Sequence, residues 1–240
     1  MFDAVQDLVL ARFKPDENFE AAYAGKSKLR TLLGDDIVAG LSGCIVADFG
    51  CGYGAECAEL ARVAAHVYGI DIEPRARDAA RQRNADNANV TIVETLETPV
   101  DAVISLDAFE HFADPAAMLA LMARHLKPGG RIHASFGPTW FHPLGGHLFS
   151  VFPWAHLVFS ERALIRWRSR YRHDGATTFA ETEGGLNRMT IRRFEQIAAA
   201  SGLTIERLEA VPIRRLAALH NRLTREYTTA IVRATLRKPV

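Results

Sequence analysis

The residues best suited to chemistry gather around two acids and a run of glycines. In Val46-Ala47-Asp48-Phe49-Gly50-Cys51-Gly52-Tyr53-Gly54 an apolar run meets an acid and then alternating glycines. Glycine lets a chain turn sharply and lets a ligand approach the backbone with no Cβ in the way. A helix beginning after such a turn offers N–H groups that have no partner within the helix. Asp71 closes the next apolar run. In a parallel sheet it projects from the same edge as the glycine turn, where a carboxylate accepts hydrogen bonds from ribose hydroxyls. A nucleoside-containing ligand is the natural occupant. Gly50, Gly52 and Ala55 also fit the dinucleotide spacing G-x-G-x-x-G/A, with Asp71 at a fitting distance. Asp48 argues against a dinucleotide, because it repels a pyrophosphate and attracts an ammonium, directly or through water.

Further residues with chemical potential lie downstream. Glu110 and His111 end a stretch that follows another apolar run. Residues 137–188 hold His142, His147 and His156 among Trp140, Phe141, Phe149, Phe152 and Trp154. His111 and His147 are the candidate general bases, since imidazole titrates near neutrality. His111 also reads as a structural contact beside the ligand, and the aromatic segment as either a lid over an apolar, ring-shaped acceptor or a small satellite core. No metal site is expected, because the histidines lack paired cysteines or tight spacing. Cys51 reads as a small packing residue, with no evident base to lower its pKa. Arg162, Arg166, Arg168, Arg170 and Arg172 alternate with Trp167 and Tyr171. That pattern suits an anionic surface or an exposed helix face with Ala163, Leu164 and Trp167 turned inward.

The elements that position these residues alternate. Strands are expected at 44–49, 67–71, 90–93, 102–106 and 131–136, with helices at 55–65, 74–87 and 115–126 between them. Helices are also expected at 1–14 and 17–33, with a break at Pro15 and Asp16. Lys127-Pro128-Gly129-Gly130 reads as a helix stop. After the insertion come a helix at 190–201, a strand at 203–211, a helical stretch at 214–223, and 227–236 as strand or helix. This order predicts an α/β fold, a Rossmann-like doubly wound and mostly parallel sheet with helices on both faces. An irregular insertion follows the fifth strand. The expected organisation is one domain: a helical segment 1–43, a ligand-binding core 44–136, a lid or insertion 137–188, and 189–240 completing the fold.

Composition narrows the setting. No apolar run reaches the roughly 20 residues of a membrane-spanning helix. There is no signal-peptide pattern at the start, and the three cysteines do not suggest a disulfide framework. A cytoplasmic protein is expected. The net charge of +1 hides an asymmetry, with −7 over residues 1–150 and +8 over residues 151–240. Two solvated faces explain it, and so does a cationic entrance for an anionic acceptor. Overall neutrality speaks against nucleic acid as the main substrate.

Four blocks occur in order: Asp48-Phe49-Gly50-Cys51-Gly52-Tyr53-Gly54; Gly69-Ile70-Asp71-Ile72; the run from Asp101 through Leu106-Asp107-Ala108-Phe109-Glu110-His111; and Leu126-Lys127-Pro128-Gly129-Gly130-Arg131. Together they closely resemble the class I S-adenosylmethionine-dependent methyltransferases, especially the small-molecule branch that includes ubiquinone-biosynthesis O-methyltransferases. The resemblance covers residues 26–136 well and the C-terminal elements loosely. It implies S-adenosyl-L-methionine as cofactor. Gly50, Cys51 and Gly52 would border the methionine portion, with Asp48 behind them. Asp71 would hold the ribose, and Ile72 would pack on the adenine. Glu94, Thr95 and Leu96 would meet the adenine edge, although the segment 94–100 is shorter than usual. Leu106 and Asp107 would line the methionine side. Arg30 stands where some relatives place an arginine on the cofactor carboxylate. The implied activity is methyl transfer to a small molecule by in-line displacement. Methylation of protein or RNA, a binding protein without transferase activity, and an NAD-dependent dehydrogenase are the competing readings.

Overall fold

Seven short apolar runs pair into one sheet in the computed structural model, which describes residues 2–14, 25–182 and 184–240. The strands are β1 (Ile45–Phe49), β2 (His66–Ile70), β3 (Val90–Val93), β4 (Val100–Leu106), β5 (Leu126–Phe136), β6 (Thr204–Pro212) and β7 (Thr229–Arg237). Their order is β3-β2-β1-β4-β5-β7-β6. The first five run parallel, and β7 lies antiparallel to both β5 and β6. A dinucleotide-binding sheet keeps the order 3-2-1-4-5-6. Here the antiparallel β7 separates β5 from β6. The stretch 227–236, open between strand and helix, is resolved as one helical turn followed by β7.

The helices are α1 (Phe2–Leu10), α2 (Lys28–Leu33), α3 (Asp35–Gly40), α4 (Ala55–Leu60), α5 (Pro74–Arg83), α6 (Pro115–His125), α7 (Ala155–Val158), α8 (Glu161–Arg168), α9 (Ile191–Ala200) and α10 (Arg225–Thr228). Several starts are written in the sequence. Pro74 and Pro115 occupy first turns, and the carboxylates of Glu73 and Asp114 accept backbone N–H bonds there. Ser160 and Thr190 cap α8 and α9 in the same way. Alternate strand residues feed two cores, one on each face. Ala47, Val103, Ile132 and Phe136 pack with α6 and α9 through Leu119, Met122 and Phe194. Val46, Val67, Ala102 and Ile104 pack with α2 to α5 through Leu29, Leu32, Leu60 and Ala80.

Four expectations need correction. The helix after Gly34 was not foreseen, because α3 is only six residues long and shows no full apolar period. Residues 214–219 form a 3-10 helix with no buried residue, so nothing there selects the α form. The helix expected over 17–33 is seen only as α2, and its 17–24 portion lies outside the described residues, as does the break at Pro15 and Asp16. The helix does stop before Lys127-Pro128-Gly129-Gly130, with α6 ending at His125, but the fifth strand starts at Leu126 and not 131, so the run lies inside β5, where it makes a bulge. Leu126 pairs with Val100 and Arg131 with Ala102, so the extra residues loop out. The acid Asp101 anchors the bulge by accepting from Lys127 Nζ and from the Ile45 N–H, both at 2.8 Å. No described helix is long and apolar enough to cross a membrane.

Candidate functional site

The chain moves outward from β1 to β2 and β3, then returns to β4 on the other side of β1. That reversal opens a crevice at the carboxyl ends of β1 and β4, the place where open α/β sheets bind ligands. Gly50, Gly52 and Gly54 all have left-handed φ, at 81°, 50° and 74°. A Cβ on Gly54 would lie 2.9 Å from that of Ala80, so glycine lets α4 approach α5. The Gly50 and Cys51 N–H groups bond to the Ile70 carbonyl and join the turn to the end of β2. Asp71 completes the tie. One carboxylate oxygen accepts from Gly52 N at 2.9 Å, and the other accepts from Glu73 N at 2.9 Å. The carboxylate is held at the rim with further lone pairs for a ligand. Beside it Ile72 is 86% exposed, an unusual position for a large apolar side chain and one suited to cover a base.

Arg77 is a site residue that sequence reasoning missed. Its guanidinium donates to the carbonyls of Asp71 and Ile72 and to the Glu94 carboxylate, at 2.8, 2.9 and 3.0 Å. It clamps the ends of β2 and β3 together. On α5 it looks like one of several surface arginines, yet it is buried. Glu94 and Thr95 are exposed at this end. Leu96, expected to meet the adenine edge with them, is 5% exposed and packed in the core with Phe49 and Ile70.

On the methionine side, Leu106 is buried and Asp107 follows it with a left-handed φ of 48°. Arg30 does not reach this side. It is paired with Asp35 and Glu59. The cation that faces the crevice is Lys28, with its Nζ 3.1 Å from Asp107. Burial opposes the Lys28 charge, but Asp107 and Glu56 outweigh it and raise the pKa. Lys28 and Arg30 are two positions apart on one short helix. Which of them faces inward is decided by packing that local pattern does not encode. Asp48 is buried behind the turn and accepts a 3.4 Å bond from the Cys57 thiol. Burial, then Glu56, push its pKa up to about 7. Cys51 is a packing residue as expected. Its sulfur and that of Cys57 fill the space that a side chain on Gly69 would need.

The side expected to receive an acceptor is built from the continuation of β4 and the insertion. Phe149, Leu164, Trp167, Phe179 and Leu186 join Leu10 of α1 in a third core that contains no strand residue. Of the insertion's aromatic side chains, Phe149, Trp167 and Phe179 are buried in this core and Trp140 and Phe159 pack against it, whereas Trp154 is exposed. Ala163, Leu164 and Trp167 do turn inward, as the helix-face reading has it. Arg168, however, is buried against Asp174 through two bonds of 2.7 and 2.6 Å. Below this lobe a cavity of about 220 Å³ is lined by His111, His147, Phe149, Arg168, Arg172 and Leu186. The rings of His111 and His147 stand edge to face at 5.1 Å. Burial, then His111, lower the His147 pKa to about 3, so it stays neutral. His111 Nδ1 bonds to the Gly185 carbonyl at 2.8 Å. Buried Glu110 adjoins both, and burial, then Asp107, raise its pKa to about 8. The fold brings both candidate histidines to one cavity. It also adds Glu110, which sequence spacing did not join to His147.

Residues 47–134 match the family described as a methyltransferase domain. A ubiquinone biosynthesis O-methyltransferase from Xylella fastidiosa is 38% identical over 104 residues, 40% of this chain and 42% of the relative. A ribosomal protein L11 methyltransferase from Dechloromonas aromatica is 34% identical over 94 residues, 38% of this chain and 32% of the relative. The chain thus spans less than half the length of these curated relatives. An S-adenosylmethionine-dependent methyltransferase structure from Mesorhizobium loti shares the fold, with a TM-score of 0.55 and 20% identity over 82% of this chain and 92% of that one. Over residues 47–134 the chain is thus similar to methyltransferase domains, and its fold is that of the Mesorhizobium loti structure.

Proposed function

We propose that this chain transfers the methyl group of S-adenosyl-L-methionine to a small molecule seated beneath the insertion. The observation that carries the reading is Asp71, fixed by Gly52 and Glu73 N–H groups at the crevice beside exposed Ile72. These residues fit a nucleoside: the carboxylate takes the ribose hydroxyls, Ile72 covers the base, and the bare turn accepts the amino-acid portion. Lys28 and Asp107 border that portion with an ion pair suited to a zwitterion, and buried Asp48 lies behind the turn. The cofactor, when bound, supplies an already activated sulfonium methyl. The protein's remaining tasks are to align the acceptor and exclude water.

The acceptor reading rests on the cavity below the lobe. At about 220 Å³ it is smaller than pockets for drug-sized ligands, roughly 300–1,000 Å³, and suits a compact, single-ring molecule. Its walls combine Phe149, Leu148 and Leu186 with His111, His147, Arg168, Arg172 and Thr182. Arg172 is exposed at the cavity and favours an acceptor with an acidic substituent, because Arg168 is already neutralised by Asp174. His111 and His147 line this cavity and would contact an acceptor seated in it. Calorimetry should show binding of S-adenosylmethionine and of its demethylated product, and none of NAD. Labelled cofactor incubated with a cell extract should then mark the small-molecule fraction. Label confined to protein or RNA would refute the acceptor class.

A further inference from the structure

We propose that Glu110, His111 and His147 form a binding site for one divalent transition-metal ion of the zinc type. One donor atom from each lies within 4.8 Å of the others: a carboxylate oxygen and two imidazole nitrogens. Bonds of about 2.0–2.2 Å need ligand atoms roughly 3–3.5 Å apart, so modest side-chain rotations close the set. Two histidines and one carboxylate, with positions left for water or substrate, are a recurring donor set for zinc and for non-haem iron.

The surroundings point the same way. Glu110 Oε1 accepts from the Gly137 N–H at 3.0 Å, while Oε2 is buried with no hydrogen-bond partner among the described residues. A buried carboxylate oxygen without a partner is costly, and a cation supplies what is missing. The Gly185 carbonyl can only accept, so His111 carries its hydrogen on Nδ1 and presents the Nε2 lone pair. His147 is hydrogen-bonded to the Pro138 carbonyl. Metal-binding imidazoles are commonly oriented by such carbonyls. The backbone also strains to deliver His147, which has a left-handed φ of 50°. The preceding Gly145 and Gly146 leave no room for a Cβ against the Thr139 and Trp140 carbonyls and the His156 side chain.

His111 and His147 also line the cavity, so an ion between them meets whatever occupies it. There it binds an acceptor hydroxyl and lowers its pKa. That role rests on the methyl-transfer reading, whereas the site itself does not. Chelator-treated full-length protein is titrated with cobalt(II), read by visible absorption, and with zinc(II), read by calorimetry. The expected result is one ion per chain. Glu110→Gln, nearly isosteric, and His147→Ala should each weaken cobalt binding at least about tenfold, while His173→Ala, on an exposed loop, leaves it unchanged. Binding of S-adenosylhomocysteine by each variant verifies that it is folded. No stoichiometric ion, or equal binding by the wild type and both variants, overturns the proposal. Metal binding without nucleoside binding would sink the methyl-transfer reading alone; nucleoside binding without metal would retire the metal site alone.

Discussion

At the scale of single residues, two acids define the crevice by opposite means. Asp71 is held at the rim by two backbone donors. Asp71→Ala removes charge-assisted bonds to a ribose and also frees the glycine turn. S-adenosylhomocysteine affinity measured by calorimetry should fall at least about tenfold, in line with ~1.5–3 kcal/mol for such bonds. Unchanged affinity would place the ribose elsewhere. Asp48 is different, because burial raises its pKa from 3.8 to about 7. The folded protein therefore holds the proton more tightly than the unfolded chain does. This contribution to stability is complete below about pH 3.8 and is lost as pH rises toward about 7. Asp48→Asn keeps the shape and cannot ionise. Its melting temperature relative to wild type should climb between pH 4 and 7, by an amount worth on the order of 2–4 kcal/mol. A difference that stays flat over that window would show that Asp48 ionises normally. Both acids were legible from their place beside the glycine turn. The Cys57 thiol that touches Asp48 was not, because it lies nine residues on, beyond the glycine turn, and meets the acid only after α4 packs.

At the scale of elements, the parallel core was legible because each short apolar run is closed by a glycine, proline or acidic punctuation mark. The buried clamp of Arg77 was not, since α5 carries arginines on several sides and periodicity cannot say which one turns inward. The same limit left Lys28 unnamed on α2, where the expectation fell on Arg30, and did not tell buried Leu96 from exposed Glu94 and Thr95. Arg77→Ala should lower cofactor affinity several-fold although the residue touches no ribose directly. It releases two carbonyls at the end of β2 together with Glu94. Arg77→Lys keeps the charge but loses the fork, so calorimetry should find it nearer to alanine than to wild type. Wild-type affinity in both variants would show that the strand ends hold themselves. Gly54→Ala is the corresponding test of the α4–α5 contact. Its left-handed φ and the 2.9 Å approach to Ala80 predict a loss of about 1–3 kcal/mol in denaturant unfolding.

At the scale of the whole molecule, the chain's start and its insertion form one body. Leu10 packs with Trp167 and Phe179, Arg166 pairs with Asp7, and Ser160 bonds to Gln6. The charge asymmetry of the two halves is partly spent in such pairs, although exposed ones contribute only about 0–1 kcal/mol each. This lobe was only half legible: its aromatic content announced burial, but not that α1 closes it across more than 150 residues. The lobe joins the segment after β4 through Asn187 Nδ2 to the Phe109 and Phe112 carbonyls, both at 2.7 Å, Asn187 N–H to the Glu110 carbonyl at 3.0 Å and His111 Nδ1 to the Gly185 carbonyl at 2.8 Å. Its core shares no residue with the strands, so it should loosen independently of the crevice. Trp167→Ala removes a fully buried ring and its bond to the Phe13 carbonyl, a loss of about 3–5 kcal/mol local to the lobe. Hydrogen exchange should accelerate over α1, α8 and residues 147–151, while β1 and β2 keep their protection and S-adenosylhomocysteine still binds. Acceleration spread evenly into β1 and β2 would mean that lobe and sheet unfold as one unit, and that the cavity between them cannot open without the crevice.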